Sequence, residues 1–179
     1  SMTSFAATIG PCQEDACVRY FKEYKKYAKA GYADAMTTLG DLYYYGHGTK
    51  SNLKKALKQY RKAAKYGSIK GQYKAAMMYM NNPEFSDLDK GVKYLKKAAR
   101  SSSTDAAFLL GVIYFKKDFY ERDFDEADKW LTIAYEGGHK KIGEFIGYMK
   151  TSENASAKDF PDLWAVIDKD PGLVEAAEQ

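Results

Sequence analysis

The sequence predicts an all-α chain, a right-handed α–α superhelix (solenoid) of stacked helical hairpins. Three observations predict it. Apolar residues recur at the i, i+3, i+4 and i+7 spacing of one helical face. Glycines and Asn/Pro clusters break that pattern at short intervals. The pattern also returns with a constant period: Gly40, Ala76, Gly111 and Gly147 stand 36, 35 and 36 residues apart, the range that marks a repeat array.

The first full hairpin, 33–68, shows the logic most clearly. Ala35, Leu39, Leu42 and Tyr43 share one face of its first helix, and Gly40 sits among them. A glycine there costs about 1 kcal/mol relative to alanine, so its expected use is the close approach of a neighbouring backbone. Gly46-His47-Gly48 ends the helix, and Ser51 or Asn52 can cap the next one. Leu53, Ala56, Leu57, Tyr60, Ala63 and Ala64 then recur at helical spacing up to Gly67. Two amphipathic helices with so short a connection pack antiparallel.

The other elements follow by alignment. Stepping back 36 residues from Gly67 reaches Gly31, with Tyr24 beneath Tyr60 and Ala28 beneath Ala64, so 14–31 is a lone second-type helix. A segment 1–13 precedes it, and its Ser1-Met2 reads as a cloning remnant. Further hairpins occupy 69–103 and 104–138, and a lone first-type helix occupies 139–150. Tyr79 and Tyr114 repeat Tyr43, and Ala98 and Ala134 repeat Ala63. Each hairpin buries its apolar side only by stacking on the next. In the remaining stretch, 151–179, a linker leads to Phe160, Leu163, Trp164 and Ile167, which recur at i, i+3, i+4 and i+7 behind Pro161 and predict a short amphipathic helix ended by Pro171-Gly172.

Composition narrows the function. The 179 residues carry a net charge of only +4, with lysines spread along the helices. The basic stripe of the second helices, Lys54, Lys58, Arg61, Lys62 and Lys65, is the expected solvated face of each hairpin. Acidic Glu121, Glu126 and Asp128 interrupt it in the third repeat, so nucleic acid is a disfavoured partner. No apolar run approaches the roughly 20 residues of a membrane span, so no membrane insertion is expected. The compartment, cytoplasmic or exported, stays open, as does homo-oligomerisation. Cys12 and Cys17 would project about 140° apart within one helix. A disulfide therefore needs Cys12 to precede the helix, which Gly10-Pro11 permits; the other reading is two ordinary small residues beside a capping helix. His47 and His139 read as solvated turn histidines, no metal-ligand pattern surrounds them, and no catalytic constellation is visible. No cofactor is expected.

The run L-G-x-x-Y, G-x-G, K-A-x-x-x-Y-x-x-A-A and a closing G resembles the Sel-one-like repeat, a branch of the tetratricopeptide-repeat superfamily. The resemblance covers about residues 14–150. It is strongest over 33–68, good at Leu110-Gly111, Tyr114, Ala127, Ala134 and Gly138, and weaker where Ala75-Ala76 and Gly91 replace the usual types. Residues 81–85 and 117–121 replace the glycine loop. The resemblance implies a non-enzymatic scaffold or adaptor that binds a protein or peptide. A dedicated bacterial inhibitor or immunity protein for one enzyme is a second reading. Enzymes among cysteine-rich, penicillin-binding relatives are a third, which the absence of cysteine from the full repeats disfavours.

In such folds the stripe beside the repeat glycine lines the concave groove. Here it reads Thr37, Asp41 and Tyr44, then Tyr73, Met77 and Met80, then Phe108, Val112 and Phe115, then Glu144, Tyr148 and Thr151. Asp41, Tyr44, Tyr73, Met77, Met80, Phe108, Val112, Phe115, Glu144 and Tyr148 are therefore the candidate partner contacts, with Lys70 and Lys116 as polar ones. The alternative is burial of these side chains between repeats. The tail 158–179 has a net charge of −4, leaving +8 on the remainder, so it is expected to dock on the repeats. It either caps the last helix or folds into the groove near Tyr148 and Phe115.

Overall fold

The computed structural model describes residues 9–178, so Ser1-Met2 lies outside the described residues. These residues form ten helices and no strand beyond one isolated bridge between Cys12 and His47. None of the helices is long and apolar enough to cross a membrane. The chain divides into two compact units between Tyr94 and Leu95.

The first unit contains α1 (Asp15–Lys29), α2 (Ala33–Tyr45), α3 (Leu53–Lys65), α4 (Ile69–Asn81) and the start of α5 (Leu88–Arg100). Its core includes residues the 36-residue alignment nominates, Ala35, Leu39 and Tyr43 from α2, Ala56, Tyr60 and Ala63 from α3, and Ala75 and Tyr79 from α4, together with Met36 and Met78, which the alignment does not single out. Phe21 and Tyr24 of α1 pack against this core. Gly40 serves a close approach, but the neighbour is a side chain and not a backbone. A Cβ there would stand 2.4 Å from the Tyr60 ring.

The second unit contains the remainder of α5, then α6 (Thr104–Phe115), α7 (Phe124–Glu136), α8 (Ile142–Ser152), α9 (Pro161–Lys169) and α10 (Gly172–Ala177). Helix α6 pairs with α7, α9 packs on α7, and α10 packs on α8. Phe160, Leu163 and Ile167 are buried and Trp164 half-buried, as the spacing predicts. The sequence reading stops at Pro171-Gly172 and misses α10. That helix approaches α8 so closely that a Cβ on Gly143 would lie 2.0 Å from the Leu173 carbonyl oxygen.

Loops of different composition end in one closure. Asn52, Asp87 and Asp123 each donate a backbone N–H to the carbonyl of the repeat tyrosine, Tyr43, Tyr79 and Tyr114, at 2.7, 2.9 and 2.9 Å. Their side chains each accept the N–H three residues on, from Lys55, Lys90 and Glu126. One Asx residue thus finishes the first helix and caps the second. The replacement of Gly-x-Gly at 81–85 and 117–121 changes the path of the loop but not its end.

Candidate functional site

In the first unit the first-type helices α2 and α4 border a hollow of about 300 Å³ lined by Tyr44, Tyr45, Tyr60, Tyr73, Lys74, Met77, Met78, Asn81 and Asn82. Tyr60 enters from α3 beneath it. Its hydroxyl donates to Asp41 Oδ1 at 2.6 Å, and Lys74 Nζ donates to the same oxygen at 2.7 Å. Lys74 also stands 5.7 Å from the Tyr60 ring centroid. Burial, then the Asp41 carboxylate, pushes the Tyr60 hydroxyl well above the ordinary tyrosine range, so it stays a neutral donor. Asp41 Oδ1 thus accepts from two donors at once and joins α2, α3 and α4 at one point.

Of the residues nominated from sequence, Tyr44, Tyr73 and Met77 line this hollow, and Asp41 lies under it. Met80 does not; its Cγ occupies the space left by Gly91 on α5, where a Cβ would stand 2.4 Å away. Lys70 is exposed at the start of α4 and lies outside the lining. Tyr45, Lys74, Asn81 and Asn82 were missed. The available signal for Lys74 was an opposite charge on the same type of helix one repeat after Asp41.

In the second unit a hollow of about 320 Å³ is lined by Phe108, Lys116, Lys141, Glu144, Phe145 and Tyr148. Four of these were nominated: Phe108, Lys116, Glu144 and Tyr148. Lys116 Nζ sits 5.5 Å from the Tyr148 ring centroid. His139 stacks on Phe108 at 4.1 Å and places Nε2 3.2 Å from Asp105, so it is not a freely solvated turn residue. Burial lowers its pKa, and the Asp105 carboxylate only partly offsets this. Val112 is half-buried and outside the lining.

Phe115 requires a correction. It is 1% exposed, enclosed by Phe124, Phe145, Tyr148 and Phe160 at centroid distances of 5.5–6.4 Å. It is a core residue because the tail supplies Phe160 as its lid, a contact that helical periodicity does not encode. The two tail placements the sequence left open are not exclusive: α9 packs on α7 and α10 on the last repeat helix α8, while Phe160 also reaches Phe115, and no described tail residue enters the lining of the hollow. Asp128, 5% exposed, fixes α9 by accepting the N–H groups of Asp162 and Leu163 at 3.0 and 2.8 Å.

Two further outcomes concern the N-terminal segment and the basic stripe. Cys12 precedes α1 and is bridged to Cys17, the arrangement Gly10-Pro11 permits. The fold also brings His47 beside this pair, against the sequence reading of an isolated turn histidine. Lys54, Lys58 and Arg61, with Lys55 and Lys90, rim a shallow outer hollow of about 790 Å³ with Leu57, Tyr79 and Phe85 also in its lining.

Residues 33–68, 69–103 and 104–139 each match the Sel1 repeat, more than half of the chain. The chain belongs to the Sel1 repeat family. The fold class is accordingly the solenoid of Sel1-type hairpins. A Sel1 repeat protein from Oxalobacter formigenes superposes with a TM-score of 0.69 at 19% identity, over 85% of this chain and 64% of that one. Among curated proteins, chitin synthase regulatory factor 4 of Schizosaccharomyces pombe is 22% identical over 79% of this chain and 23% of its own length. The chitin synthase regulator SKT5 of Saccharomyces cerevisiae is 32% identical over 58% of this chain and 16% of its own. The chain thus spans less than a quarter of the curated relatives it matches. Sel1 repeats are in general interaction scaffolds and not enzymes, and a protein is the coarse class of partner they imply.

Proposed function

We propose that this Sel1 chain is a non-enzymatic module that binds a segment of another protein, and that the hollow between α2 and α4 receives it. The observation that carries this reading is the hollow's lining: four tyrosines, two methionines, two asparagine amides and Lys74, which Asp41 holds from outside the lining. Methionine offers adaptable apolar contact and tyrosine a broad rigid ring with a polar tip, and the amides can hydrogen-bond an extended or helical backbone. The second unit offers a different chemistry at Phe108, Phe145 and Tyr148, where Lys116, Lys141 and Glu144 can orient a charged segment. Names of relatives as enzyme regulators fit a partner that is itself a protein.

The test is selection of peptide ligands on the wild-type protein from a displayed library, followed by titration against two variants. Met77→Glu is expected to weaken binding at least about tenfold, or ~1.4 kcal/mol, while Lys62→Glu on the exposed face of α3 leaves it unchanged. Equal affinity for wild type and Met77→Glu, with matched circular dichroism, would remove the hollow as the binding site.

A further inference from the structure

Residues 10–13 are fastened to the loop between α2 and α3 by an array of contacts. Cys12 N–H donates to the Gly46 carbonyl at 3.2 Å, and Gly48 N–H donates to the Cys12 carbonyl at 2.7 Å. Gln13 Nε2 bridges the carbonyls of Gly46 and Thr49 at 2.9 and 3.0 Å. This register places the side chains of Cys12, Cys17 and His47 together: one ligand atom from each lies within 4.8 Å of the others, and all three residues are half-buried. His47 Nδ1 is 2.8 Å from the Gly10 carbonyl oxygen. A carbonyl only accepts, so Nδ1 carries the proton and the basic lone pair is on Nε2.

We propose that Cys12, Cys17 and His47 form a binding site for a zinc-type divalent ion when the two thiols are reduced, and that this state excludes the Cys12–Cys17 disulfide. The donor set is two thiolates and one imidazole, the soft and borderline ligands that zinc prefers, with a fourth position left for water. The Gly10 carbonyl supplies what metal-bound histidines require, an acceptor on the other ring nitrogen that fixes tautomer and ring orientation. Thiolates bound at about 2.3 Å in a tetrahedron stand roughly 3.8 Å apart. The Cα atoms of Cys12 and Cys17 are 6.1 Å apart, so rotation of the side chains, with the backbone held by the bonds above, reaches that spacing.

The interconversion balances. An external dithiol reduces the Cys12–Cys17 bond, becoming a disulfide itself and leaving two thiols. The ion then displaces both thiol protons to solvent, giving two thiolates, a neutral imidazole and one water around it. Both states tie residues 10–13 to α1 and the α2–α3 loop; the redox poise and the supply of the ion decide which tie is used. The site shares no residue with the hollow between α2 and α4.

The experiment uses the full chain, reduced with a phosphine, stripped of metal and titrated with Co²⁺. The expected result is one equivalent bound, with thiolate-to-cobalt charge-transfer absorption in the near ultraviolet and tetrahedral d–d bands in the visible. Binding of either ion to the reduced apo-protein should release about two protons, and Zn²⁺ should then displace the cobalt with no further release. His47→Gln, whose fold is checked by circular dichroism, should weaken binding at least about tenfold. Disulfide-bonded wild type should give no thiolate band. Absence of that band in the reduced wild type, or unchanged affinity in His47→Gln, would overturn the proposal.

Discussion

Replacing Phe160 by alanine tests whether the tail is a structural cover for α7. The ring is fully buried and lies 5.7, 5.0 and 6.0 Å from the centroids of Phe115, Phe124 and Trp164. Truncating a buried phenylalanine costs about 3–5 kcal/mol, and the upper half applies where the walls cannot collapse into the space. Three aromatic rings on three helices, α6, α7 and α9, are such walls. For a chain of this size that loss corresponds to a melting shift of about 6–20 °C. Both tryptophans, Trp130 and Trp164, lie in the second unit, so urea unfolding followed by tryptophan fluorescence reads this unit alone. The fluorescence midpoint should fall with little change in slope. A loss below ~1 kcal/mol would mean that Phe160 is a replaceable contact and that the tail does not close the core.

Asp128→Asn keeps the volume but leaves only one acceptor for the N–H groups of Asp162 and Leu163; a loss of about 1–2 kcal/mol is expected in the same assay. Gly143→Ala places a methyl group against the Leu173 carbonyl, and hydrogen exchange over 172–177 should rise sharply while α6 and α7 keep their protection. His139 has a folded-state pKa below its ordinary 6.5 because burial disfavours the imidazolium. The unfolded chain therefore binds the proton more readily, so stability is full above pH 6.5 and falls as the pH drops below it. In His139→Gln the decline between pH 7 and pH 5 should flatten, measured by thermal melts across that range.

The repeat architecture was legible because it is written in the 36-residue period itself. Ala56, Ala63, Ala98 and Ala134 are small where helices must approach, and each is fully buried. Gly40 and Gly111 face Tyr60 and Leu131 of the following helix, so alignment finds them from either side. Gly147 has nothing within 4 Å of an added Cβ, although it aligns equally well. The period marks the position but not whether a second helix arrives to use it.

The candidate site was legible only where it lies on a single helix face. Tyr44, Tyr73 and Met77 follow from helical spacing, and so do Phe108 and Tyr148. Lys74, Asn81 and the enclosure of Phe115 depend on which element lies opposite, and no local pattern encodes that. The ring of Phe160 reaches Phe115 from 45 residues away in sequence.

From the sequence alone, then, came the helices as far as α9, their hairpin order, the repeat family and the apolar face of the tail, all consequences of short-range periodicity and of turn residues at fixed offsets. Tertiary structure alone decided that Phe115 is core and Met80 is seated on Gly91, that Asp128 holds α9, and that Cys12, Cys17 and His47 meet. These outcomes join residues on different elements, and their juxtaposition depends on the register in which helices and loops dock. That register is set by the whole set of packed side chains and by backbone bonds such as Gly48 to Cys12, not by any one stretch of the chain.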